Sequence, residues 1–135
     1  MTHIGIVGTG AWATTLGILL ARTANKTILW SRSEARANEL ETARVNDRYV
    51  PGVEFPDQMS ISGSIDESVA NADLVIIAVP SVTIRENIQQ IKSAISTTSR
   101  IVCATKGIEI ETGKRMSQVI SEELPELDPR HIGVL

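Results

Sequence analysis

The chain has a single cysteine among its 135 residues, so it cannot close an internal disulfide. That suits a reducing compartment, and a cytoplasmic location is expected. Cys103 lies in the apolar run Ile101-Val102-Cys103-Ala104, where a small buried hydrophobe is the plainer expectation than a reactive thiol. Long apolar runs are missing as well. The longest, Leu74 to Val79, is closed by Pro80 and falls far short of the ~20 residues that a membrane-spanning helix needs. Met1-Thr2-His3 runs straight into a strand pattern, so no secretory leader is expected. Charge of one sign is not in excess either. A formal net charge of −3 gives no reason to expect nucleic acid or membrane as partner, and any anion would have to be met by a local arrangement. The two histidines, His3 and His131, stand at strand starts without metal-ligand spacing, and no metal site is expected.

What is present is an ordinary globular composition, 42% apolar and 21% charged, and a length that fits one domain over residues 1–135. Strand patterns alternate with helix patterns, which predicts an α/β fold with a mostly parallel sheet and helical crossovers. Strands are expected at His3–Val7, Lys26–Trp30, Leu74–Val79, Arg100–Thr105 and from His131 on. Leu74–Val79 is apolar at every position and belongs in the middle of the sheet. Residues 10–23 read as a helix with Trp12, Leu16, Leu19 and Leu20 on its apolar stripe. Ser33 is an N-cap for a helix to about Arg44, with Glu34 in its first turn. Ser64 and Glu67 have capping-box spacing and open a short helix to about Asn71. Ile84, Ile88, Ile91 and Ile95 define a helix from about Val82 to Ile95, and Met116, Val119, Ile120 and Leu124 another. Pro51, Gly52 and Pro56 make residues 46–58 a loop. The last strand pattern stops without a successor, so the chain is expected to be a fragment of a longer protein.

Chemistry concentrates first at residues 8–13, Gly8-Thr9-Gly10-Ala11-Trp12-Ala13. This is a G-x-G-x-x-A turn between an apolar strand and a helix, the setting in which that pattern binds a dinucleotide. Gly8 allows the tight turn, Gly10 lets backbone approach a pyrophosphate, and Ala13 keeps helix close to strand. The unpaired N–H groups of the helix start, with its dipole, then face the phosphates. Gly17, costly in a helix interior, points to close packing on the sheet. The fold expected is therefore a Rossmann-type, doubly wound sheet. Trp12 has two readings that the sequence leaves open, a core side chain or a wall of the cofactor site.

The second strand ends Trp30-Ser31-Arg32-Ser33, with no carboxylate at its tip to hold ribose hydroxyls. Arg32 is instead suited to a 2′-phosphate, so NADP is the expected cofactor, with NAD the other possibility. Arg36, one turn on, is either a second cation or a surface arginine. Lys106 follows the strand Arg100–Thr105 and so stands at the carboxyl edge of the sheet, where open α/β folds bind ligands. It offers a point charge to a phosphate or a developing alkoxide, with Gly107 beside it to permit an unusual turn. Position alone leaves a solvated turn lysine equally open. Asp73 and Glu109 are expected to be solvated.

Five segments stand in order: the turn at 8–13, Leu29-Trp30-Ser31-Arg32, Asn46-Asp47-Arg48-Tyr49-Val50-Pro51-Gly52, Ala78-Val79-Pro80-Ser81 and Ala104-Thr105-Lys106-Gly107-Ile108-Glu109. Together they resemble the NAD(P)-dependent glycerol-3-phosphate dehydrogenases of bacterial type, over Ile4 to Leu135. The resemblance implies a Rossmann domain followed by a helical domain. It also implies interconversion of dihydroxyacetone phosphate and sn-glycerol 3-phosphate in glycerophospholipid precursor synthesis. Ala11 and Trp12 match cofactor contacts, Arg32 the contact beside the adenosine ribose, and Lys106 a lysine that meets substrate and nicotinamide. Thr83 departs from relatives with an aromatic there. The family's proton-donating lysine belongs to the helical domain, so no catalytic residue is expected within residues 1–135. The cut at that boundary is expected to leave sheet surface that favours self-association into a homo-oligomer. Two other readings of the same turn stay open: a reductase of the hydroxyacid or 6-phosphogluconate type, and a nucleotide sensor without chemistry.

Overall fold

The computed structural model describes residues 1–23 and 25–135. Six strands form one sheet in the order β5-β2-β1-β6-β7-β8, every neighbouring pair parallel. They are β1 (His3–Val7), β2 (Lys26–Trp30), β5 (Met59–Ser62), β6 (Leu74–Ile77), β7 (Arg100–Cys103) and β8 (Ile132–Val134). The order reverses direction between β1 and β6, which is where a doubly wound sheet opens a crevice. The expected fold class is what the chain adopts. Val7 pairs with Trp30 and Ile77, Trp30 with Ser62, Ile77 with Cys103, and Cys103 with Val134. The strands thus finish in one row, and the loops after them leave from one edge.

One face is covered by α1 (Ala11–Ala21) and α2 (Glu34–Ala43), the other by α3 (Ile65–Ser68), α4 (Ile84–Ile91) and α5 (Met116–Glu123). β6 is central, as its uniform apolarity requires, with Val75, Ile76 and Ile77 all buried. In α4 the isoleucines at 84, 88 and 91 are fully buried, but the preceding turn, 81–83, is 3₁₀ and leaves Val82 exposed. The buried face of α1 differs from the expected stripe. It consists of Ala13, Thr14, Gly17, Ile18 and Ala21, while Leu19 and Trp12 are exposed. A Cβ on Gly17 would come within 2.7 Å of Leu29 Cδ1 and 3.1 Å of Met59 Cε. At Gly17 the helix lies so close to the sheet that a larger residue would not fit, whereas Ile18 is buried beside it, Leu16 and Leu20 are half-buried against the same core, and Leu19 faces out.

Three strands were not legible as such. Where residues 46–58 were expected to form a loop, β3 (Val45–Asn46) pairs antiparallel with β4 (Val50–Glu54). The edge strand β5 follows it, in a stretch to which the pattern assigned nothing. Arg44, in the left-handed conformation at the end of α2, donates to the carbonyls of Pro56 and Met59 and stacks on Phe55, which holds this connection to the sheet. Glu41 accepts from the Ile61 amide at 2.7 Å, on the side of β5 that faces away from β2, and pairs with Arg44. Ser64 caps α3 by accepting from the Glu67 amide, but the Glu67 carboxylate accepts from Ser62 instead of closing the box. Cys103 is buried, its thiol held above its usual pKa by desolvation, as a buried hydrophobe should be.

Candidate functional site

Gly8 continues β1 with φ +123°, and a Cβ there would lie 2.4 Å from the Ala78 carbonyl oxygen. Both the backbone conformation and the approach of the β6 loop demand glycine. Gly10 is different. Its backbone is extended, and a Cβ built on it meets nothing within 4 Å. Nothing inside the protein needs a glycine there, so the space beside it is free for something else. Gly10 is also the N-cap of α1 and brings no side chain to satisfy the first-turn amides, and that turn holds no acidic residue. An uncapped, open helix start is a place for a pyrophosphate, which leaves room and donors but no charge of its own to repel it.

Thr9 is held from below. Asn46, 1% exposed, donates from Nδ2 to the Thr9 carbonyl at 3.0 Å and to Thr14 Oγ1 at 2.9 Å, and accepts from Arg36 at 3.0 Å. This one side chain ties the phosphate turn, α1 and α2 together. Sequence reasoning placed Asn46 in a loop and gave it no role, because its burial exists only once the β3–β4 hairpin folds back under the turn.

Two clefts meet at Gly10 and Val79-Pro80, on the carboxyl edge where the strand order reverses. The first, about 380 Å³, lies toward β2 and is lined by Arg32, Arg36, Arg48 and Tyr49 among others. Arg36 is fixed by Asn46 and Glu39, and Arg48 stacks on the Tyr49 ring at 5.2 Å. Arg32 pairs with Glu86 at 3.2 Å, so its guanidinium is at the cleft but already partnered. Arg48 and Tyr49 were not among the expected site residues. Their signal was the Asn46–Gly52 segment, whose position over the cleft depends on the hairpin. Ser33 caps α2 as expected, accepting from the Arg36 amide, and Ser31 donates to the Ser33 carbonyl.

The second cleft, about 490 Å³, runs from Ala11 and Trp12 past Ala78 to Thr105 and Lys106. Trp12 is 45% exposed and lines this cleft, so it is not a core side chain. Ala13, fully buried, is where the helix rests on the sheet. Thr105 Oγ1 donates to the Val79 carbonyl and accepts from the Val79 amide, so the ends of β6 and β7 are locked in register beneath Lys106. Gly107 takes φ +113°. Lys106 is exposed and donates to the Leu135 carbonyl.

The strap after Lys106 corrects one expectation. Glu109 is not solvated: it forms a two-pronged pair with Arg85 of α4 (2.9 and 2.8 Å) and is one-tenth exposed. Thr112 also donates to it, and Arg85 reaches on to Glu123. Arg85 holds the Glu109 carboxyl down to about 2, and Thr112 adds to the effect. The partner lies 24 residues away and left no local trace. Asp73, exposed as expected, accepts from the His3 amide. Among the described residues no group of three or more His, Cys, Asp or Glu is placed to hold a metal, and no helix is long and apolar enough to cross a membrane.

Residues 3–135 match the family model described as the N-terminus of NAD-dependent glycerol-3-phosphate dehydrogenase. The chain belongs to that family. It is 45% identical over 123 residues to the glycerol-3-phosphate dehydrogenase (NAD(P)+) of Chlorobium limicola, covering 91% of this chain and 37% of the relative. The enzyme of the same name from Chlorobium luteolum is 38% identical over 133 residues, 98% of this chain and 40% of the relative. A crystal structure of glycerol-3-phosphate dehydrogenase from Coxiella burnetii superposes with a TM-score of 0.84 at 32% identity, over 91% of this chain and 38% of that one. This member of the glycerol-3-phosphate dehydrogenase family thus spans about two fifths of the length of the curated relatives it matches.

Proposed function

We propose that this chain is the cofactor-binding domain of an NAD(P)-dependent glycerol-3-phosphate dehydrogenase, which interconverts dihydroxyacetone phosphate and sn-glycerol 3-phosphate for glycerophospholipid synthesis in the cytoplasm. The observation that carries the reading is the open space at Gly10, beside an uncapped helix start and at the junction of two clefts. Gly8, Thr9, Gly10 and Ala11 would hold the pyrophosphate, through first-turn amides and backbone that no side chain obstructs, while the buried Ala13 keeps the helix against the sheet. The β2-side cleft would take the adenosine half. Arg32 would meet a 2′-phosphate, which makes NADP the preferred cofactor and leaves NAD usable. Trp12 would cover the other half. When bound, the nicotinamide supplies the hydride for the carbonyl carbon or receives it from the alcohol. Lys106 would hold the substrate's oxygen or phosphate beside that ring and stabilise negative charge that develops on the oxygen. The proton is assigned to a lysine of a helical domain following this one, which would also exclude water.

Two measurements test this. The chain, titrated with NADPH, should quench the fluorescence of Trp12 as the cleft fills; no change in tryptophan or cofactor fluorescence at millimolar ligand counts against the site. In the longer enzyme, Lys106→Met should lower turnover with dihydroxyacetone phosphate by roughly 100-fold or more while cofactor affinity changes little, in line with the loss of an electrostatic contact to the reacting oxygen. Near-normal activity at low substrate would reduce Lys106 to a surface turn.

A further inference from the structure

Arg32 lines the β2-side cleft, and Glu86 stands at the margin of the wall that faces it. Arg32 leaves the end of β2, while Glu86 is in the first turn of α4, between Thr83 and Asn87, both of which line the cleft. Their side chains meet at 3.2 Å with 48% and 64% exposure, 54 residues apart in sequence. The other two arginines of the cleft are held differently. Arg36 is fixed by Asn46 and its helix neighbour Glu39, and Arg48 lies on Tyr49, with no ion pair among the described residues. Arg32 is therefore the cleft cation whose counter-ion reaches it from the facing wall.

We propose that Glu86 is a specificity-determining residue: it keeps the cleft open to dinucleotides without a 2′-phosphate by giving Arg32 a partner, and it opposes those that carry one. The inference rests on the cofactor reading above. A ribose with free hydroxyls has no charge to offer Arg32, and without Glu86 its arrival would bury a guanidinium next to neutral groups. With Glu86 in place the pair stays closed and the ligand meets a neutral wall. A 2′-phosphate brings nearly two negative charges and must draw Arg32 away. Glu86, which met the same guanidinium at 3.2 Å, is then left unpaired near the phosphate, and like charges at close range repel. The carboxylate that this chain lacks at the tip of β2 is thus supplied from α4, and acts on the arginine rather than on the sugar.

The experiment uses the 135-residue chain and two probes that fill only the adenosine half, adenosine 2′,5′-bisphosphate and adenosine 5′-monophosphate, titrated by NMR at low salt. Glu86→Gln should tighten the bisphosphate by roughly three- to tenfold, as expected for removing one nearby exposed charge. It should leave the monophosphate unchanged or slightly weaker, and Glu86→Asp should restore much of the original ratio. At ~0.5 M salt the gap between wild type and Glu86→Gln should close, because exposed charges are screened. Equal tightening of both probes would make Glu86 a source of general field only and overturn the proposal, as would no change in either. Arg32→Ala separates this from the underlying reading, since it should cost the bisphosphate roughly 10- to 100-fold, the loss of a charge-assisted hydrogen bond. If Arg32→Ala has that effect and Glu86→Gln has none, the cofactor reading stands and the role of Glu86 falls. A wild-type chain that binds neither probe overturns both.

Discussion

Removing the side chain of Asn46 tests how the phosphate turn is held. Asn46→Ala deletes two donated bonds, to the Thr9 carbonyl and Thr14 Oγ1, and one accepted from Arg36. A net hydrogen bond in a protein contributes about 0.5–1.5 kcal/mol, and a buried group left without its partner costs about 1–3 kcal/mol. Arg36 is partly exposed and can turn to water, whereas Thr14 is 1% exposed and cannot. The loss should therefore be about 2–4 kcal/mol, which moves a urea midpoint by roughly 1–2 M for a chain of this size. The cause can be isolated with Thr14→Val, which removes the hydroxyl that Asn46→Ala would strand. In that background the cost of Asn46→Ala should shrink by about 1–2 kcal/mol, a coupling large enough to resolve in a double-mutant cycle. Equilibrium urea unfolding of the four proteins measures it. Additive losses, or a cost under about 0.5 kcal/mol for Asn46→Ala alone, would refute the claim that this residue anchors the turn.

The two glycines of α1 should separate stability from binding. Gly10→Val should leave the melting temperature nearly unchanged and abolish NADPH binding, since its Cβ enters open space. Gly17→Val should lower the melting temperature instead, because its Cβ would press on Leu29 and Met59, and binding per folded molecule should survive. The Glu109 carboxyl is depressed from 4.5 to about 2 by Arg85, so its contribution to stability is complete above pH 4.5 and is lost as the pH falls toward 2. Thermal melts across that interval should show a steeper decline for wild type than for Glu109→Gln; parallel curves would mean the pair does not stabilise the strap.

What could be read from the sequence is what is decided locally. Gly8, Gly10 and Ala13 lie within six residues, flanked by an apolar strand and a helix, and each stands where that spacing predicts. The places of Lys106 and Arg32 at the carboxyl edge were legible because each follows a strand, and strand ends in a parallel sheet share an edge. The apolar stripe of α1 was misread because periodicity counts large residues, whereas at Gly17 the proximity of β2 and β5 leaves no room for one. β5 is four residues of alternating pattern, too short to separate from the loop before it, and its pairing with β2 is set by the sheet. Asn46 and Glu109 escaped for one shared reason: their partners lie on other elements. Glu109 is joined to Arg85 across 24 residues, and Asn46 to Thr9 across 37.

The Glu41 carboxylate on the Ile61 amide gives the sheet a polarity of growth. An outer strand ordinarily presents a row of free amides that another chain can extend by simple addition. At β5 an incoming strand would first have to strip that carboxylate from its amide and from Arg44, and would bring its own carbonyl toward a fixed negative charge. Addition at this margin is therefore a displacement reaction, and ribbons of copies stacked through β5 are disfavoured from the first step. At high concentration the chain should be guarded against one route to fibrous aggregation while remaining free to associate elsewhere.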